Sequence, residues 1–151
     1  MNHEKKIIFY DETKPDTHVK YSIIHEYGHD FLKHDFDKKD DETYAKYEIE
    51  TNFFAAQLLM PEQILREFIR RGVAVNNDFL RQHFGVSREA AEKRLKTLAR
   101  TNSEWRTRQE AEYDDIILAK YSSFIDSICP KYSYYDYEYE EDMQNQRDKW
   151  F

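Results

Sequence analysis

The sequence predicts an α+β fold that is mainly helical, on three observations. Glycine and proline are scarce, 3 of each in 151 residues, so tight turns are few and long helices are favoured. Apolar residues recur at three- and four-residue spacing through most of the chain. Only Lys6 to Tyr10, the run Lys-Ile-Ile-Phe-Tyr, has the β-prone character of a strand. The length supports one domain with small appended parts, and a hydrophobic fraction of 40% suffices for a core.

The elements follow in order. Lys6 to Tyr10 is expected to form one strand of a small sheet, and Asp11 to Asp16 a loop punctuated by Pro15. A first helix is expected from Thr17 to His34, capped by Thr17. Its apolar face is Val19, Ile23, Ile24, Tyr27, Phe31 and Leu32. Asp35 to Glu42 is dominated by charge and reads as an exposed loop. A second helix is expected from Glu42 or Thr43 to Met60, with Tyr44, Ile49, Phe53, Ala56 and Leu59 facing inward. Pro61 suits the first turn of a third helix. That helix should bury Ile64, Leu65, Phe68 and Ile69 and stop before Gly72.

Residues 1–75 form the expected core domain. Residues 76–101 read as helix, turn, helix: Asp78 to Phe84, then Gly85, then Ser87 to Arg100. Ser87 is placed to cap the second of these, with Glu89 in its first turn and Lys96 and Arg100 towards its end, as the helix dipole prefers. Residues 102–151 read as a long helix from Ser103 to about Ser127, buried through Tyr113, Ile116, Ile117, Tyr121, Phe124, Ile125 and Ile128, and ended by Pro130. A tail that alternates tyrosine with acid follows. Its pattern suits either a solvated end or an arm that packs on the domain or on a partner.

Composition limits the functions available. A net charge of -7 argues against a chain whose main task is coating nucleic acid. The lone cysteine, Cys129, makes no internal disulfide and fits a reducing cytoplasm. No apolar run approaches the roughly 20 residues that span a bilayer. The N-terminus has no signal-peptide pattern, so cytoplasmic protein targets are expected.

The chemistry is carried by His25-Glu26-Tyr27-Gly28-His29, an H-E-x-x-H run inside the first expected helix. Positions four apart lie one above the other, so two imidazoles can grip one metal ion from a single rigid element. Glu26 is then placed as general base on a water, the pattern of zinc peptidases. A catalytic zinc usually takes three protein ligands and keeps a position open for water. Glu48 and Glu50 on the second helix are candidates for the third ligand. They lie roughly 200° apart around the axis, so both cannot reach one ion. Glu48 is preferred, because Asn52 shares its face and could orient His25 or His29 through the other ring nitrogen. Glu50 stands as the alternative. Tyr10, Tyr27, Tyr47 and His34 are candidate oxyanion donors by residue type. Otherwise His3, His18, His34 and His83 read as surface or packing residues. Gly28 costs a helix roughly 1 kcal/mol relative to alanine, which suggests close approach by another backbone.

Between Asp78 and Arg100 there are six basic residues (Arg81, Arg88, Lys93, Arg94, Lys96, Arg100) against Asp78, Glu89 and Glu92, a local charge of +3. These could meet phosphates. The preferred reading is that Phe84, Val86, Ala90, Ala91, Leu95 and Leu98 pack inward and the charges are solvated, so DNA is a possible but not a favoured partner.

The run H-E-Y-G-H, followed by E-I-E-T-N-F-F-A-A-Q-L-L-M-P from Glu48 to Pro61, resembles the ImmA/IrrE family of metallopeptidases from Ile7 to about Arg100. The resemblance implies a zincin-like, gluzincin-type site with one Zn2+ per chain. It implies His25, His29 and Glu48 as ligands, Glu26 as catalytic base, and Asn52 on the asparagine of the second motif. Tyr27 and Thr51 depart from the family's commoner residues at positions expected to lie away from the chemistry. The implied function is site-specific cleavage of a helix-turn-helix repressor or antitoxin encoded on a phage or mobile element. The alternative is a DNA-binding regulator or sequestering partner whose zinc site does no proteolysis.

Overall fold

Helices supply the regular structure among the described residues of the computed structural model, which are 6–37, 40–101 and 106–129. They are α1 (Asp16–Phe31), α2 (Asp41–Leu59), α3 (Glu62–Arg70), α4 (Asn77–Phe84), α5 (Arg88–Arg100), α6 (Arg108–Lys120) and α7 (Ser122–Ile128). The expected Ser103 cap, Pro130 stop and acidic tyrosine tail lie outside the described residues.

Most helix starts follow from short polar side chains. Asp40, Asn76 and Ser87 each accept a hydrogen bond from a backbone N–H three residues on, opening α2, α4 and α5. Thr107 and Glu110 form a reciprocal capping box at α6. The first helix is different. It begins after Pro15, with no side-chain cap, and the expected cap Thr17 lies inside its first turn. Proline at that point presets the backbone, so the start needs no hydroxyl.

The end of α1 shapes everything near it. The N–H of Lys33 bonds the Asp30 carbonyl and the N–H of His34 bonds the His29 carbonyl at 3.0 Å. This is a Schellman reversal. Its left-handed position is Lys33, with φ 56°, where glycine would be cheaper. The reversal folds residue 34 back under residue 29. Gly72 and Gly85 take the same left-handed role after α3 and α4.

Two expectations change. Among the described residues no strand forms, and Lys6 to Tyr10 has no regular structure, since no partner strand is present there to pair with it. The long C-terminal helix is broken: Tyr121 leaves helical geometry and α7 restarts at Ser122. Ser122 and Ser123 favour a helix beginning over a helix interior.

The core has two connected parts. Met60, Leu65, Leu80, Val86, Ala91 and Leu98 form one, with Phe84, Ala90 and Leu95 against it. Thus α4 and α5 pack on the junction of α2 and α3. Ile64, Phe68, Ile125 and Cys129 form the other, joined by Ile117, Phe124 and Ile128. The Phe68 ring meets Phe79, Phe84 and Phe124 edge-on. Several apolar residues expected inside are exposed. Ile49 is 70% and Ile116 62% exposed, and Phe31, Tyr44, Phe53, Ile69 and Tyr113 are also exposed. α1 and α2 pack on each other, while α6 reaches the core only near Ile117, so apolar periodicity there marks faces that the core does not use.

Arg94 locks α5 to the end of α2. Its Nε and Nη2 donate to the Met60 carbonyl at 3.0 and 2.7 Å, and Nη2 donates to Gln57 at 2.6 Å. Burial pushes its pKa down, with Glu62 opposing. A base expected on the surface is therefore structural. Lys93 and Lys96 pair with Glu89 and Glu92 one turn back. No described helix is long and apolar enough to cross a membrane.

Glu67 on α3 collects two arginines. Arg70 bonds it at 2.6 and 2.7 Å, and Arg71 bonds it at 2.7 Å while also reaching Asp126 of α7. Bonding to Arg70 first, then to Arg71, pulls the Glu67 carboxyl from 4.5 down to about 2, against its burial. A depressed carboxylate stabilises the fold above its unfolded pKa and loses that effect as pH falls through the folded one. Glu67→Gln should cost about 1–2 kcal/mol at pH 7, after discounting for the exposed Arg70. In urea unfolding, the gap between variant and wild type should close as pH falls from 4.5 towards 2. A gap that stays constant with pH contradicts this assignment.

Candidate metal centre

The two histidines emerge from consecutive turns of α1, and α2 lies alongside. Gly28 permits this. A Cβ there would fall 2.9 Å from Thr51 Cγ2 and 2.9 Å from Phe54 Cδ1, inside any real contact distance. The close approach expected at Gly28 is therefore made by side chains of α2, not by another backbone.

At this crossing His25, His29 and Glu48 converge. The two Nε2 atoms lie 3.1 Å apart. Glu48 places one oxygen 3.4 Å from His25 Nε2 and the other 3.3 Å from His29 Nε2. Among the described residues these three offer ligand atoms that all lie within 4.8 Å of one another. A tetrahedral zinc with ligands at 2.0–2.1 Å needs donor atoms about 3.3 Å apart. The contact from each imidazole nitrogen to the nearer Glu48 oxygen, and between the two nitrogens, is close to that size, so the donor set fits a zinc ion in chemistry and approximate spacing.

Electrostatics favour the metal-binding form of His29. Burial first, then the neighbouring charge of His25, push its pKa down, while Glu48 pulls the other way. The downward shift favours the neutral imidazole, the form able to give a lone pair to a metal.

Glu26 lines a groove of about 640 Å³ with Ile7, Ile8, Phe9, Tyr27 and Asp30, and its charge is felt at His29. Lys6 holds Asp30 on the rim of this groove.

Two further second-helix residues, Asn52 and the alternative ligand Glu50, have other partners. Asn52 orients neither histidine. Its Oδ1 accepts from the Tyr21 hydroxyl at 2.9 Å, and the Tyr21 ring stacks near His25, with centroids 6.4 Å apart. Asn52 lies a full turn beyond Glu48, so its short side chain reaches α1 one turn before His25. Glu50 is not among the three converging ligands. It lies 3.1 Å from His34 Nε2.

Three residues carry more than the sequence suggested. The His34 side chain is only 3% exposed, with Nδ1 2.8 Å from His29 Nδ1 and its ring stacked on Tyr47 at 4.0 Å. Thr51 is fully buried and sets Oγ1 3.1 Å from the same His29 nitrogen. Tyr44, one turn before Glu48, donates a hydrogen bond to it. The charge of Glu48, then that bond, raise the tyrosine pKa. Of the oxyanion candidates chosen by type, Tyr10 and Tyr27 are exposed and Tyr47 is stacked on His34. The signal for Tyr44 was its i−4 spacing from Glu48. The signal for His34 was its place where a helix reversal returns the chain, hidden because lysine fills the usual glycine position.

Comparison with protein families finds a match to the Peptidase M78 model, described as the IrrE N-terminal-like domain, over residues 1–96. Comparison with curated proteins and with solved structures finds no match.

Gly28→Ala tests the crossing. The added methyl meets Thr51, which is buried against His29 and has no room to yield. Overpacking of about 1–3 kcal/mol should outweigh the roughly 1 kcal/mol that alanine gains in a helix. Denaturant unfolding of the metal-free variant should show net destabilisation, and zinc titration a weaker affinity. Increased stability with unchanged zinc affinity contradicts the close-packed crossing.

Proposed function

The chain belongs to the Peptidase M78 family of IrrE N-terminal-like domains, and from that premise we propose that it is a zinc-dependent endopeptidase with a gluzincin-like ligand set. The observation that carries this reading is the donor triangle of His25, His29 and Glu48, sized for a tetrahedral ion. With three protein ligands, a fourth position stays open for solvent, as catalysis needs and a closed structural site denies.

Bound zinc would supply Lewis acidity, making a water acidic enough to react near neutral pH and polarising a peptide carbonyl. The rest is done by this chain. Glu26 takes the proton from the attacking water and delivers it to the leaving amine nitrogen. Its groove, bounded by Ile7, Ile8 and Phe9, suits a substrate lying extended alongside a stretch of backbone without regular structure. Tyr44, whose one O–H proton goes to Glu48, steadies that carboxylate.

The substrate class follows from the family resemblance: a helix-turn-helix repressor or antitoxin of a phage or mobile element, met in the cytoplasm and cut at one site. The alternative, a DNA-binding regulator using residues 76–101, is weakened by the internal use of Arg94 and the pairing of Lys93 and Lys96.

The test is co-expression with any helix-turn-helix regulator that sequencing finds encoded beside the gene. The wild type should cut it at one bond. Glu26→Gln should keep about one zinc per chain and lose cleavage by at least about 10²-fold. Wild-type cutting by Glu26→Gln defeats the mechanism. An uncut regulator, together with salt-sensitive duplex binding lost on changing Arg88, favours the DNA-binding alternative.

A further inference from the structure

We propose that Glu50, His34 and His29 form a hydrogen-bonded relay that sets the tautomer of His29 and tunes how tightly the site holds its metal. The inference rests on the metal reading above and assigns residues that reading does not use.

The relay runs outward from the ligand atom. His29 offers Nε2 to the donor triangle, 3.3 Å from Glu48. A neutral imidazole that gives its Nε2 lone pair to a metal carries its proton on Nδ1. That Nδ1 lies 2.8 Å from His34 Nδ1. Two nitrogens so close can share only one proton, so His34 Nδ1 must be the bare acceptor. The His34 proton is then on Nε2, which lies 3.1 Å from Glu50 Oε2. The chain is directional, and each step leaves one proton arrangement: His29 N–H to His34, His34 N–H to the Glu50 carboxylate. A doubly protonated His34 would set two N–H groups head-on.

The surroundings hold this arrangement in place. The left-handed turn at Lys33 brings residue 34 back beneath residue 29. The His34 ring lies parallel on Tyr47, at an angle of 8°. Phe36 meets the His29 ring edge-on at 5.0 Å. Thr51 Oγ1 closes the side, 3.1 Å from His29 Nδ1 and 3.4 Å from His34 Nδ1. A carboxylate at the far end of such a chain raises ligand basicity through the intervening rings, as a carboxylate bonded directly to a ligating histidine does. His34 and Glu50 are therefore positioning residues.

The experiment is a double-mutant cycle read by zinc affinity, using Zn2+ alone in competition with a chromophoric chelator. Glu50→Gln keeps an acceptor but loses the charge. It lies at a partly exposed site, where it also pairs with the exposed Lys46 at 3.6 Å. It should weaken zinc binding by about tenfold to a hundredfold. In a His34→Phe background, which keeps the stack on Tyr47, the same change should have no further effect. An equal loss in both backgrounds means a through-space field and overturns the relay, as does no loss in the single variant. A wild type that binds no zinc defeats the metal reading itself, a distinct failure. If His34→Phe does not fold, 15N NMR of the zinc-loaded wild type decides. A His34 proton on Nε2 upholds the relay, and one on Nδ1 overturns it.

Discussion

The close crossing of α1 and α2 at Gly28 is the constraint on which the rest depends. Without a side chain at residue 28, Thr51 and Phe54 settle directly against α1. That approach puts Glu48 within reach of two imidazoles one turn apart, and it buries Thr51 against His29. Moving the helices apart by a methyl's width would dissolve the triangle, because carboxylate and imidazole are both short. The helix interior accepts its least favourable ordinary residue at the point where the site needs proximity.

The site is also costly in a second way. Three metal-binding groups and His34 are drawn together where water is partly excluded, and burial works against charging His29. Such clusters are stable when their polar atoms are paired. Here the pairing extends outward through Thr51, His34 and Glu50 on one side and through Tyr44 on the other. The supporting elements are correspondingly firm. Arg94 fastens α5 to the end of α2, and the Glu67 cluster joins α3 to α7.

The parts of this arrangement legible in the sequence were those with a fixed period. The four-residue step from His25 to His29 sets two rings on one face. The two-residue step from Glu48 to Glu50 sends them to different sides, and the structure puts Glu48 with the histidines and Glu50 with His34. Helix boundaries were equally plain at the Ser87 cap and the Gly72 stop. What escaped was tertiary. Asn52 shares a face with Glu48, yet the partner it meets is Tyr21, because facing elements decide who touches. His34 was hidden by a left-handed lysine where glycine would have announced the turn. Ile49 and Phe53 keep helical periodicity, but nothing local tells a core face from a face left open. The strand at Lys6 to Tyr10 has β-prone residues and no described partner, and pairing cannot be read from one strand alone.

The most direct measurement is X-ray absorption at the zinc edge on the purified protein, with metal content determined in parallel. The account predicts about one zinc per chain, coordinated only by nitrogen and oxygen at 2.0–2.1 Å, with two imidazole contributions. Glu48→Gln should lose the metal or change its coordination shell. A protein that retains no zinc, or whose zinc is unchanged when Glu48 is altered, would contradict it.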